Sequence, residues 1–148
     1  MNKFNIRYAE LLKDFKQSNN LKDEDVAKKL GLSSTANISR WGLQDMYPSI
    51  KYLLALSKLF DCSLDYLCGR TDDEGKYKEI KPTLFADRLQ EIINSKPNLT
   101  RYKLFKDLKL TKGHEFSWFN EHRTPSTINY IKIADYLKVS IDELVGRV

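Results

Sequence analysis

Long apolar runs are missing from this chain. No stretch approaches the ~18–20 consecutive apolar residues that cross a bilayer. The opening MNKFNIRYAELLKDFK also lacks the apolar core of a secretory signal. These absences predict a cytoplasmic protein without a membrane partner. Cysteine is scarce: Cys62 and Cys68 stand six apart with no histidine near them, so no zinc spacing exists and no metal site is expected. The only histidines are His114 and His122. There is no glycine-rich phosphate loop and no Ser-His-Asp order at a known spacing. Neither an enzyme nor a cofactor is expected.

What is present is a chain of 148 residues, 41% hydrophobic and 30% charged, the composition of a soluble globular protein. That length allows one ordinary domain or two minimal ones of ~60–75 residues. The net charge of +5 suits a nucleic-acid partner but does not single one out.

The chain is written twice. PSIKYLLALSKLFDCSLDYLCGR (Pro48 to Arg70) and PSTINYIKIADYLKVSIDELVGR (Pro125 to Arg147) have equal length and share Pro, Ser, Asp, Leu, Gly and Arg in register. Upstream, NLKDEDVAKKLGLSS (Asn20 to Ser34) answers NLTRYKLFKDLKLTK (Asn98 to Lys112), and Tyr8, Ala9 and Leu12 answer Phe85, Ala86 and Leu89. Cys62 falls opposite Val139 and Cys68 opposite Val145, which marks the thiols as small apolar packing groups. Between the copies, TDDEGKYKEIK (Thr71 to Lys81) reads as a polar linker whose Asp72, Asp73 and Glu74 are solvated. The expected organisation is residues 1–70, a linker over 71–81, and residues 82–148.

Each copy parses into five short helices with no strand pattern, so the expected fold class is all-α. In the first copy, Tyr8, Leu11, Leu12 and Phe15 predict a helix over roughly 5–18. Val26, Ala27 and Leu30 mark a second, ended by Gly31. A third is expected from about Ser34 to Trp41 with Ser33 as N-cap. A fourth starts at Ser49, and a short fifth runs between Ser63 and Gly69. The second copy places its helices near 83–95, 100–108, 112–121, 126–137 and 140–145, with Phe116 and Phe119 among the expected core residues.

The segment NLKDEDVAKKLGLSSTANISRW, followed by PSIKYLLALSKLFDCSLDYLCG, resembles the phage repressor/Cro-type (XRE-like) helix-turn-helix family. The tail NYIKIADYLKVSIDELVG resembles that family's closing helices. The resemblance implies two tandem lambda-repressor-like domains, each with a third helix that enters a major groove ~12 Å wide. In this family the base-reading positions lie three and two residues before the third helix's buried apolar residue, and two after it. With Ile38 buried, the resemblance implies Thr35, Ala36 and Arg40, with Ser34, Asn37 and Ser39 nearby. With Phe116 buried, it implies Gly113, His114 and Trp118, flanked by Lys112, Glu115 and Ser117, and it turns Trp118 away from the core.

Where the family bonds a phosphate at the start of its second helix, the first copy has Asp23, Glu24 and Asp25. The second has Arg101, Tyr102 and Lys103, with Arg123 after its third helix. Each copy is expected to carry one more turn residue than the family pattern. The implied function is sequence-specific binding of double-stranded DNA by a transcriptional regulator of the phage or mobile-element repressor kind. One chain, or a homodimer, would cover a site with unlike halves. The alternative is a protein-interaction regulator, such as an anti-repressor or antitoxin, whose second domain binds a protein partner through Trp118.

Overall fold

The computed structural model describes residues 1–79, 81 and 83–146. Among them are ten helices and no strand, and the chain divides after Tyr77 into two compact units. The first unit holds α1 (Lys3–Asn19), α2 (Asp23–Lys29), α3 (Ala36–Leu43), α4 (Ile50–Phe60) and α5 (Leu64–Leu67). The second holds α6 (Phe85–Asn94), α7 (Arg101–Asp107), α8 (Lys112–Phe119), α9 (Thr127–Leu137) and α10 (Ile141–Val145). The lengths of the middle three helices coincide: seven, eight and eleven residues in each unit.

Local chemistry sets most of these boundaries. The first helix begins two residues earlier than its apolar spacing predicts, because Asn2 and Asn5 form a reciprocal cap. The Asn5 N–H donates to Asn2 Oδ1 (2.8 Å) and the Asn2 N–H to Asn5 Oδ1 (3.1 Å). Ser63, Thr100, Thr111, Ser126 and Ser140 cap α5, α7, α8, α9 and α10 with their hydroxyls. Ser33 is not the cap of α3, contrary to expectation. Thr35 stands at the N-cap, and Ser33 and Ser34 belong to the turn.

Tyr8 organises the first core. Its ring stacks on Phe4 (5.5 Å) and meets Trp41 edge-on (6.0 Å), while its hydroxyl donates to the Ile38 carbonyl (2.7 Å). Burial pushes that hydroxyl's pKa well above the ordinary tyrosine range. The fully buried Asn5 side chain donates to the Trp41 and Met46 carbonyls, so α1 satisfies the otherwise orphaned end of α3. Cys62 and Cys68 are buried in this core as thiols rather than as a disulfide. In the second unit Phe85 takes the place of Tyr8, edge-on to Trp118 (5.4 Å) and Tyr130 (5.1 Å).

Residues in the left-handed region mark matching corners of the two units. Asn20 and Asn98, and Gly31 and Lys109, are both 78 residues apart. Asp61 and Lys138, and Gly69 and Gly146, are 77 apart. The spacing therefore drops by one between the turn after the second helix and the end of the third. Trp41 and Trp118, 77 apart and both buried, already follow the later spacing. The first unit's turn is one residue longer than the second's. The recurring glycine also has a reason: a Cβ on Gly69 would fall 2.5 Å from Lys3 Cβ, and one on Gly146 2.5 Å from Thr83 Oγ1.

Residues 71–77 pack as a strap on the first unit. Asp61, in the left-handed C-cap position of α4, accepts the Tyr77 N–H (3.2 Å) and the Lys76 ammonium (3.3 Å). Glu74 contributes its carbonyl to the Ser63 N–H (3.0 Å), and Arg7 reaches the Thr71 carbonyl and the Asp72 carboxylate. The Tyr77 N–H, and secondarily Lys76, hold the Asp61 carboxyl below its usual pKa. A lowered carboxyl stabilises the strap above the ordinary carboxylate range and stops doing so as pH falls through the lowered value. Asp61→Asn should therefore speed tryptic cleavage after Lys76 and Lys78 at neutral pH. The protection of the Tyr77 amide, measured relative to its intrinsic exchange rate, should fall in the wild type as pH drops through the lowered Asp61 value. Equal cleavage rates in the two proteins would contradict the strap.

Candidate nucleic-acid interface

The outward face of each third helix follows from its buried tryptophan, since residues advance by about 100° along a helix. On α3, Ala36, Ser39 and Leu43 lie within about 40° of the direction opposite Trp41, with Arg40 on the flank. All four are exposed. Arg40 has no ionic partner among the described residues, so its guanidinium is available to a ligand. Ile38 is fully buried, as the sequence implies. Thr35 and Asn37 are half-buried, and Ser34 is exposed with its Oγ accepting the Ala36 N–H (3.4 Å). The structure thus brings Ser34, Ala36, Ser39 and Arg40 onto one surface.

On α8 the expected roles are reversed. Trp118 is buried at 2% exposure, and Phe116, expected in the core, is 55% exposed. Trp118 therefore cannot be the exposed anchor or DNA contact that the sequence reading made of it. The indole fills a box walled by Phe85 and Phe105 (5.5 Å), a site sized for the largest side chain in the helix. Phe116, about 200° away, is left pointing outward. With Trp118 aligned to Trp41, the residue in the place of Ile38 is Glu115. The three positions that the resemblance implies as base readers, Thr35, Ala36 and Arg40 in the first unit, then align with Lys112, Gly113 and Ser117.

His114 moves off the reading face. It is half-buried beside Trp118 (5.6 Å), and its Nδ1 accepts the Thr111 N–H (3.1 Å), completing the cap of α8. Gly113 lies outward with ordinary φ, and a Cβ there would meet only Thr111 Oγ1 at 3.4 Å. Packing inside the unit does not require a glycine, which costs a helix up to about 1 kcal/mol against alanine.

The two faces differ in charge. Residues 1–77 hold 12 Lys/Arg against 11 Asp/Glu, a net +1, whereas residues 78–148 hold 13 against 9, a net +4. At the start of α2, Asp23 pairs with Lys16 (2.7 Å), beside Glu24 and Asp25. At the start of α7, Arg101 pairs with Glu115 (3.1 Å) and lies over the Phe119 ring (4.1 Å), which ties α7 to α8. Lys103 pairs with Asp107 (3.3 Å), whose carboxyl is held low first by the Tyr136 hydroxyl. Arg123 is exposed and approaches Glu121 at 3.8 Å. Lys109 and Lys112 are exposed, with no ionic partner among the described residues.

A third helix behind a turn, followed by two closing helices, is the arrangement that the resemblance to repressor/Cro-type helix-turn-helix domains implies. Residues 12–67 match the family model described as "Helix-turn-helix". A protein of Bacillus subtilis (strain 168), "Uncharacterized HTH-type transcriptional regulator YobD", is 29% identical over 66 residues, which are 45% of this chain and 58% of that protein. The chain thus spans a little over half the length of this relative. No solved structure matches the chain. No helix among the described residues is long and apolar enough to cross a membrane.

The reversal on α8 has a direct test. Trp118→Ala should destabilise the second unit by about 3–5 kcal/mol, the cost of emptying a core aromatic site. Phe116→Ala should stay within about 0.5 kcal/mol of wild type. Thermal unfolding of the two variants checks both; a larger loss at Phe116 would restore the first assignment.

Proposed function

We propose that this protein is a transcriptional regulator of the repressor kind that binds double-stranded DNA sequence-specifically, with the third helix of each unit in the major groove. The observation that carries the reading is Arg40, exposed and without an ionic partner among the described residues, on the flank of the outward stripe of α3 and inside the segment that matches the helix-turn-helix family. Arginine donates two hydrogen bonds to guanine O6 and N7, and the neighbouring Ala36 methyl can meet a thymine methyl.

The excess charge of the second unit supports phosphate contact there, through Lys103, Lys112 and Arg123. Because the outward residues of α3 and α8 differ, the two half-sites differ as well. A second reading, in which the second unit binds a protein, now rests on exposed Phe116 and Tyr102 rather than on Trp118.

Selection from a random duplex library should enrich one motif. Affinity for it should fall steeply with salt as phosphate contacts release counterions. Arg40→Ala should cost about 1–3 kcal/mol and relax discrimination at one base pair. An absence of enrichment, or an unchanged motif with Arg40→Ala, would contradict the reading.

A further inference from the structure

The base-reading positions given by the family leave Phe116 unused, yet it is the most prominent apolar group on α8. It is 55% exposed, about 200° from the buried Trp118, and makes no ring contact with another aromatic side chain among the described residues. Its outward neighbours Gly113 and Asn120 are exposed and Ser117 is half-buried, so none extends it into a broad apolar patch. An interface with a folded protein uses several hundred Å² of contiguous apolar surface. Phe116 alone does not supply that, and Tyr102, the other exposed ring of this unit, stands on α7 rather than on the outward face of α8; one ring matches a single methyl group.

The surroundings of Phe116 suit a polyanion. Lys112, one helical turn before Phe116, is exposed without an ionic partner among the described residues, and the acids nearby are engaged, Glu115 with Arg101 and Glu121 with Arg123. Gly113, one turn before Phe116, leaves the helix surface bare where no internal contact demands it.

We infer that Phe116 is a specificity-determining residue of the second unit that recognises the C5-methyl group of a thymine in the major groove. Lys112 holds the adjacent backbone, and Gly113 permits the close approach. The thymine methyl is the one apolar feature a base pair displays in that groove, and apolar side chains read it by contact. This inference rests on the proposed DNA-binding function and assigns a base to its second half.

The test replaces thymines one at a time by deoxyuridine, which removes only the methyl, in the duplex selected by the full-length protein. One replacement outside the bases that depend on Arg40 should weaken wild-type binding about threefold to fivefold, the effect of one lost buried methyl. Phe116→Ala should bind the unmodified duplex more weakly by the same factor and be indifferent to that replacement. The inference fails if Phe116→Ala binds as tightly as wild type, or if it keeps the full sensitivity to deoxyuridine. It fails equally if Phe116→Ala spares DNA binding and abolishes binding of a partner protein. If the wild-type chain selects no duplex, the proposed function itself is refuted, an outcome distinct from an indifferent Phe116.

Discussion

Everything outward on the third helix depends on one buried indole. Trp41 sits among Tyr8, Tyr52 and Asn5, whose side-chain amide donates to its carbonyl, and Trp118 sits among Phe85 and Phe105. A side chain of this size has one place in so small a core, and fixing it fixes the rotation of the helix about its axis. A slip of one residue would turn the helix by about 100° and exchange core and surface residues. The short turn before the helix and the contacts made by Tyr8 and Asn5 all serve that setting.

On this common frame the two units carry different surfaces. The first presents small polar groups and Arg40 beside an acidic second helix. The second presents Lys112, Gly113 and Phe116 on a unit of net charge +4. Under the proposed function, specificity and electrostatic attraction are then divided unequally between two copies of one architecture. Joining them in one chain makes the second encounter intramolecular, so a weakly attractive reader and a strongly attractive neighbour raise each other's occupancy.

Much of the fold was legible because it is written in local chemistry. Apolar spacing located all ten helices, Ser and Thr caps set several boundaries, and aligning the copies recognised the two cysteines as packing groups. The failure on α8 came from carrying the 78-residue spacing of Asn20 and Asn98 through the turn into the third helix. The tryptophan pair, 77 apart like Pro48 and Pro125, already carried the correct spacing. The same slip set His114 in an outward reading position, whereas it is half-buried beside Trp118 with Nδ1 engaged in the cap of α8. The strap over 71–77 had no such signal. Polar composition looks the same whether a segment is solvated or bonded to Asp61, and only the left-handed corner at Asp61 aims its carboxylate at the Tyr77 amide.

The proposed function, with two unlike third helices on one chain, predicts a particular footprint. Hydroxyl-radical footprinting of the full-length protein on its selected duplex should show two protected patches, about one helical turn apart and unlike in sequence. A single protected patch, or two patches of identical palindromic sequence, would contradict the account.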